Sequence, residues 1–373
     1  MISLSPERAR QILLHATGLL RRREATGLAG ALEVLEALGA VQLDPLDRIG
    51  TNADLVLHAR VRGVRRGDWA RTMPGHAFEH FAKERCLLPG RLFPCYRTRA
   101  HQAPWWRLTE RLKRLSQGVL DEVLAELSER GPLTPKELSE RGKVEAIDWN
   151  GWKGTSDANA MALEVLWTRC LAVSAGRTAR GERIYDVPSR ALPRYAPLDA
   201  PDPERALLLE RVRGAGLLTT SQGPQWSMLS EVRTSPLIDA LIAEGALVKV
   251  EVSGSRRSYL TLPEHLDAPA DEPDELLRVL GPLDPLLWDR KLVAQIFNFD
   301  YVWEVYKPAE KREWGYYVTP LLHRGALVGR IEARRVTAGG GHRIEVVQRW
   351  GDAPQPAFDQ AMDELTELQE RAC

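Results

Sequence analysis

The chain has few cysteines and no long hydrophobic run. Its 373 residues include four cysteines, and none of them forms a Cys-x-x-Cys pair: Cys86, Cys95, Cys170 and Cys373. This spacing excludes a zinc ribbon or an iron–sulfur cluster and predicts buried or incidental thiols. No apolar run approaches the ~18 residues of a membrane helix, and the N-terminus lacks a signal-peptide pattern. We therefore expect a multidomain cytoplasmic protein without membrane association.

Several common cofactor motifs are also missing from the sequence. There is no Walker loop, no paired metal-binding histidine motif and no Rossmann glycine pattern. The sequence thus predicts no metal and no cofactor.

Net charge is zero, but the charges are unevenly distributed. The first 114 residues carry 20 Lys and Arg against 11 Asp and Glu, so the remainder has the opposite excess. Nearly all of the positive charge is arginine, whose planar guanidinium matches phosphate geometry. We expect a polyanion to bind the N-terminal third.

Helical periodicity followed by a hairpin pattern occurs in the middle of the chain. Residues 116–130 and 156–170 have apolar side chains at helical spacing, and residues 134–140 begin with Thr and Pro, which favour a helix start. Residues 171–188 alternate around a polar tip, which is typical of a β-hairpin. Three helices closed by a hairpin predict a winged helix.

The same order of three helices and a hairpin recurs between residues 202 and 263, so the sequence predicts an internal repeat.

Beyond residue 282, alternating aromatic and aliphatic residues at 301–306, 316–319 and 327–333 predict a small antiparallel sheet. Residues 358–371 predict a closing helix. The fold class is therefore α+β, with three tandem winged-helix (helix-turn-helix) modules and a small C-terminal antiparallel β domain. The predicted modules are residues 1–115, 116–198, 199–266 and 275–373, with 267–273 as a linker. In the first module we expect helices at 5–20, 29–38 and 51–60, the last with Thr51 as N-cap. In the third we expect helices at 204–213, 227–233 and 236–244 and a hairpin at 247–263.

Several segments together resemble the YcaQ/AlkZ-like DNA glycosylase family, and the match runs nearly end to end. The C-terminal segments are long and specific. These segments are residues 39–45 (GAVQLDP), 79–89 (EHFAKERCLLP), 149–154 (WNGWKG), 281–290 (GPLDPLLWDR), 299–301 (FDY) and 306–318 (YKPAEKREWGYYV).

The resemblance implies tandem winged helices around a channel for duplex DNA, and a Gln-aliphatic-Asp motif that serves hydrolysis of N7-alkylated purines. Carried onto this chain, the motif is Gln42, Leu43 and Asp44. Asp44 would activate water and offset the positive charge that develops on the sugar. Gln42 would orient that water through its amide. The structural alternative is that Asp44 forms an Asx turn or a helix cap before Pro45 and that Gln42 satisfies backbone groups.

Basic and polar residues near the motif are candidate DNA contacts. Arg48 and Asn52 would contact phosphate, with solvated side chains as the alternative. Lys83 occupies a position where many family members have His. It would be a surface or phosphate contact, and its alternative role is a lyase nucleophile that forms a Schiff base.

Bases and aromatics alternate in the C-terminal signature. Lys311, Arg312, Trp314 and Tyr316 would enter a DNA groove or stack near the lesion. Alternatively, the two aromatics pack in the core of the small sheet. Three other tryptophans are expected to be core and interface anchors: Trp149, Trp152 and Trp288.

Together these features predict a monofunctional DNA glycosylase for N7-alkylated purines, including those in interstrand crosslinks. We expect a monomer that binds double-stranded DNA in the cytoplasm, associated with the nucleoid. The alternative function is a non-enzymatic winged-helix transcriptional regulator. Such a regulator normally dimerises on paired half-sites, and the sequence has no heptad pattern for a dimerisation helix.

Overall fold

The computed structural model has a mixed α/β fold and describes residues 2–100, 106–147, 154–338 and 341–369. Two compact units divide the chain. The first comprises Met1–Trp69, Phe81–Leu87 and Leu207–Cys373, and the second Ala70–His80 and Leu88–Ala206. The expectations for Trp149, Trp152 and Cys373 fall outside the described residues. The division into three winged-helix modules stays a prediction.

The helices, in chain order, are α1 (Pro6–Ala16), α2 (Gly27–Leu38), α3 (Asn52–His58), α4 (Asp68–Arg71), α5 (Met73–His76), α6 (Phe93–Ala100), α7 (Trp106–Leu112), α8 (Gln117–Arg130), α9 (Ala158–Thr168), α10 (Pro188–Ala191), α11 (Pro203–Ala215), α12 (Leu237–Ala243), α13 (Pro263–Asp267), α14 (Arg290–Phe297) and α15 (Gln355–Glu367). The strands are β1 (Ile2–Leu4), β2 (Val41–Gln42), β3 (Ala77–Ala82), β4 (Glu84–Pro89), β5 (Lys143–Glu145), β6 (Thr155–Asp157), β7 (Val173–Arg177), β8 (Arg183–Asp186), β9 (Leu218–Thr219), β10 (Val248–Val252), β11 (Ser258–Thr261), β12 (Leu277–Val279), β13 (Val318–His323), β14 (Ala326–Ala338) and β15 (Gly341–Gly351).

Most predicted helices are present, and several of them begin at a side-chain cap. Ser5 and Ser116 accept hydrogen bonds from the first turns of α1 and α8. Thr51 is the N-cap of α3, as predicted, and forms a capping box with Asp54. Such caps satisfy amide groups that have no partner inside the helix.

Two predicted helices are wrong. Residues 134–140 contain only a single 3₁₀ turn, Pro135–Glu137. Residues 227–233 contain no α-helix: Met228 has φ +66°, which interrupts a right-handed helix, and only the turn Val232–Thr234 follows.

The predicted hairpins are confirmed, with one unpredicted partner. Strand β7 pairs antiparallel with β8 in the second unit, and β10 with β11 in the first. Strand β1 joins β10 in parallel, which places the N-terminal residues in a sheet of order β1-β10-β11-β9. Sequence periodicity gave no indication of so short a strand.

The C-terminal sheet is antiparallel, as predicted, with order β12-β13-β14-β15. The predicted strand at residues 301–306 is wrong because this segment is a loop packed through its side chains. The buried Tyr301 hydroxyl donates to the Val318 carbonyl at 2.8 Å. The buried Glu304 carboxylate accepts from the Trp314 amide at 2.7 Å. Tyr301 and Trp303 are therefore buried here without ladder pairing, while Tyr306 is exposed.

A buried ion pair links the residues just after α3 to the segment that follows β12. Arg60 donates to both carboxylate oxygens of Asp284, at 2.8 and 2.9 Å, and both side chains are essentially inaccessible. Arg60 also donates to the Thr17 and Val56 carbonyls. Because its partners are all internal, loss of one leaves a buried charge without compensation.

We expect Asp284→Asn to lower the free energy of unfolding by about 3–5 kcal/mol, the usual cost of breaking a buried pair on one side. Asn can still accept the hydrogen bond that the Leu286 amide donates to Asp284. The loss of stability therefore reports the removal of the negative charge. Denaturant unfolding measures it. Glu345→Gln, in the exposed pair with Arg334, is the control and should change little. Equal effects of the two substitutions would contradict the prediction.

Candidate active site

The Gln-Leu-Asp motif lies on an extended segment that begins where α2 ends. Gly39 ends that helix with φ +67°, a conformation that glycine adopts without strain. Val41 and Gln42 then pair with β4, and the Leu43 amide donates to the Arg85 carbonyl at 2.8 Å. Because the Leu43 amide continues the pairing and residues two apart on an extended segment lie on the same side, we infer that Gln42 and Asp44 project to the same side.

Gln42 is held at both its backbone and its side chain. It is 6% exposed. Its backbone carbonyl accepts from Asn52 Nδ2 at 2.8 Å, and its Oε1 accepts from Lys83 Nζ at 3.1 Å. Within the described part of the chain, Nε2 has no protein partner, so this N–H₂ group can donate to water or substrate.

Asn52 connects the motif to the segment 281–290. Its Oδ1 accepts the Leu283 amide at 2.9 Å, while its Nδ2 binds Gln42. The residue is 1% exposed, and a Cβ at Gly281 would overlap its Oδ1. The structure therefore places Asn52 in the interior as a support for Gln42. Its amide is not available for the phosphate contact that the sequence suggested.

Lys83 lies between β3 and β4, next to the motif. Its ammonium is 5.2 Å from the centroid of the Trp288 ring. The Cys86 thiol donates to the Lys83 carbonyl at 3.3 Å. Burial lowers the pKa of the Lys83 ammonium to about 8. A lysine expected at the surface or on phosphate is thus largely enclosed beside Gln42.

Asp44 combines a turn with a free oxygen. Its Oδ1 accepts the Leu46 amide at 2.9 Å, which is the Asx turn expected of Asp before Pro45. Its Oδ2 has no hydrogen-bond partner among the described residues. Burial raises the pKa of the Asp44 carboxyl, although the Leu46 amide opposes that rise. The turn orients the carboxylate and leaves one oxygen for chemistry.

The loop after Asp44 is fixed by ionic contacts. Asp47 accepts the Gly50 amide at 3.2 Å and pairs with Arg335 at 3.1 Å and with Arg66. The Arg335 amide also donates to the Arg48 carbonyl. Strand β14 therefore supports the loop that carries the motif.

Two arginines lie close to the ring of Tyr316. The guanidinium carbons of Arg48 and Arg312 are 5.1 and 4.9 Å from its ring centroid. Arg48 is exposed, while Tyr316 and Arg312 are half-buried. The structure thus brings together three of the predicted DNA contacts.

The other two contacts predicted in the segment 306–318 lie apart from this group. Trp314 stacks with Arg330, 3.9 Å from guanidinium carbon to ring centroid, and packs edge-on against Trp350. These contacts fit the core alternative for Trp314. Lys311 is exposed on the 3₁₀ turn Ala309–Lys311.

Much of the positive charge of the N-terminal third is used internally. Arg22 pairs with Glu364, Arg60 with Asp284 and Arg66 with Asp47. Arg8 and Arg10 donate to backbone carbonyls. The local excess in the sequence therefore does not translate into an equally large basic surface.

Sequence reasoning missed the supports of the site. Trp288 was expected to be a core anchor, but it also covers the Lys83 ammonium. Its indole N–H donates to the Leu283 carbonyl at 2.9 Å. Tyr317, buried near Asp44, was not singled out: burial, with Tyr301 and Asp44 nearby, raises its pKa. Only the presence of these residues in the signature segments could have pointed to them.

Two kinds of feature are absent from the described ranges. No helix there combines the length and apolar character of a membrane crossing. Those ranges also contain no group of three or more His, Cys, Asp or Glu that could hold a metal ion. Cys86, Cys95 and Cys170 are buried, as predicted.

The overall fold resembles that of a DNA-repair protein of known structure. It matches the Streptomyces sahachiroi DNA glycosylase AlkZ with a TM-score of 0.63 and 14% sequence identity, over 98% of this chain and 97% of that chain. At this identity the likeness shows the fold alone. The family model for AlkZ-like DNA glycosylases matches residues 35–368. The chain therefore belongs to the AlkZ-like DNA glycosylase family, and it is a DNA-repair enzyme whose substrate is DNA.

We expect Gly281→Ala to destabilise the protein by about 1–3 kcal/mol, because the new methyl group must displace the enclosed Asn52 amide. Thermal or denaturant unfolding measures the loss. The matched control is Gly118→Ala on the open face of α8, which should be neutral or slightly stabilising. Wild-type stability in Gly281→Ala would show that Asn52 is not tightly confined.

Proposed function

We propose that this protein is a monofunctional glycosylase that hydrolyses the N-glycosidic bond of N7-alkylated purines in duplex DNA and thereby unhooks interstrand crosslinks. The observation that carries this proposal is the free Oδ2 of a half-buried, oriented Asp44, two residues from a Gln42 amide with a free N–H₂ group. One carboxylate and one orienting amide suffice for a leaving group that is already cationic.

The chemistry requires a base and a negative charge, and Asp44 supplies both. The N7-alkylated purine leaves with the electrons of the C1′–N9 bond, which neutralises its positive charge. The ionised carboxylate stabilises the oxocarbenium-like sugar. Water then forms the new C1′–O bond and gives its proton to Asp44. Burial raises the pKa of this carboxyl, which makes it a stronger base than an exposed aspartate.

DNA binding in this proposal uses the arginines around Tyr316. Arg48 and Arg312 flank the ring and lie on the loop and signature segments that also form the site. Guanidinium groups bind phosphate in two parallel hydrogen bonds. We propose that a monomer binds through its winged-helix modules, arranged around a channel, and acts on nucleoid DNA in the cytoplasm. Family membership supports an enzyme over the regulator alternative.

Replacement of Asp44 tests the chemistry directly. In Asp44→Asn we expect excision to fall by roughly two orders of magnitude or more, the usual size of acid–base and electrostatic contributions. Folding should change little because Asn also accepts the Leu46 amide. Gln42→Ala should slow excision less, since an amide orients water but carries no charge. Single-turnover excision of N7-methylguanine from a duplex, in buffer with EDTA, is the measurement.

The control is Asp267→Asn, at an exposed aspartate remote in sequence from the motif. Unchanged excision in Asp44→Asn would make Asp44 a turn residue only and move the chemistry elsewhere.

Replacement of the arginines around Tyr316 tests the binding surface. Each of Arg48→Ala and Arg312→Ala should weaken duplex affinity and reduce the slope of log K against log[salt] by about 0.9, one phosphate contact each. Fluorescence anisotropy at several salt concentrations gives the slopes. Arg324→Ala, at an exposed arginine paired with Glu275, is the control. Slopes equal to wild type in both variants would place the DNA contacts on another surface.

A further inference from the structure

The half-buried lysine beside the motif has no role in the hydrolysis described above. Lys83 Nζ donates to Gln42 Oε1 at 3.1 Å, and Trp288 covers the ammonium on another side. The lysine backbone is itself held by the Cys86 thiol, and Glu84, with φ +60°, turns the chain directly after it. Both backbone and side chain are therefore fixed.

We propose that Lys83 is a positioning residue whose ammonium fixes the rotamer of the Gln42 amide, so that Nε2 faces the attacking water. This inference rests on the proposed hydrolysis and assigns Lys83 to that site. Lys83 itself takes no part in bond making or breaking.

The physical basis is the one-way hydrogen bonding of an ammonium group. A protonated lysine only donates, so its partner must be the amide oxygen. The opposite rotamer would turn the N–H₂ group towards three N–H donors and is excluded. A neutral amine can also accept, and therefore allows both rotamers. With Oε1 committed to Lys83, the Nε2 group of Gln42 is available on the other side of the amide.

The lowered pKa of Lys83 makes this hydrogen bond sensitive to pH. Burial is the main cause that lowers its pKa to about 8, and Arg290 and Arg211 add to it, while Cys86 and Glu84 oppose it. A lowered lysine pKa means that the ammonium is lost as pH rises through about 8. Excision should then decrease over that interval, because the amide rotamer is no longer enforced.

The experiment is a double-mutant cycle on single-turnover excision of N7-methylguanine from a duplex. We expect Lys83→Met to be about tenfold slower, the scale of one oriented hydrogen bond to a charged group. Adding Lys83→Met to Gln42→Ala should cost nothing more, because Lys83 acts only through Gln42. Lys83→Arg, which keeps a permanent charge, should stay near wild type and lose the decrease near pH 8. Lys249→Met, at an exposed lysine on β10, is the control.

Several results would overturn the proposal. Wild-type excision in Lys83→Met, full additivity with Gln42→Ala, or a rate that increases through pH 8 would each do so. Borohydride trapping on a duplex with a preformed abasic site adds a separate readout: a covalent adduct that Lys83→Met abolishes would make the lysine a nucleophile. If Lys83→Met does not fold, the pH profiles of wild type and Lys83→Arg still decide.

The cycle also separates this inference from the proposed hydrolysis. If Asp44→Asn and Gln42→Ala both keep wild-type rates, the hydrolysis proposal fails and the lysine proposal with it. If those two lose activity while Lys83→Met does not, only the positioning role fails.

Discussion

One buried amide group determines the geometry of the site. Asn52 donates to the carbonyl of Gln42 and accepts the amide of Leu283, so it joins segments more than 200 residues apart in sequence. A buried side-chain amide needs its partners in fixed places. Gly281 has no side chain, which leaves room for the Asn52 amide. Trp288, also in the segment 281–290, covers Lys83. The segment 281–290 therefore packs against the motif and supports it.

The same principle explains how a short motif can be held accurately on a loop. Asp44 uses one carboxylate oxygen for its turn, and the following Asp47 pairs with two arginines. Each oxygen that is engaged in the structure reduces the motion of the one that remains free. A carboxylate positioned in this way needs little reorganisation when charge develops beside it. The alternatives of turn residue and catalytic residue for Asp44 are therefore compatible.

Local patterns predicted local structure well and long-range structure poorly. Thr51 as N-cap, the helix at 117–130 and both hairpins followed from short-range chemistry. The loop at 301–306 was not predicted, because a pattern of spaced aromatic residues is the same in a packed loop as in a strand. In the site, resemblance supplied Gln42 and Asp44, but the enclosure of Asn52 and Lys83 depends on partners that are distant in sequence. Residue type alone suggested phosphate contacts for both.

The pairing of charges also bears on how the enzyme finds DNA. Net charge is zero, and several arginines of the N-terminal third are neutralised by carboxylates or bound to carbonyls. A protein without a strong overall field gains little long-range steering towards a polyanion. In the proposed function, attraction would come from a few local groups, such as the arginines beside Tyr316, and would act within about a Debye length, ~8 Å at physiological salt. Under the proposed function, discrimination would then rest with the site, where a cationic purine would meet the half-buried carboxylate of Asp44.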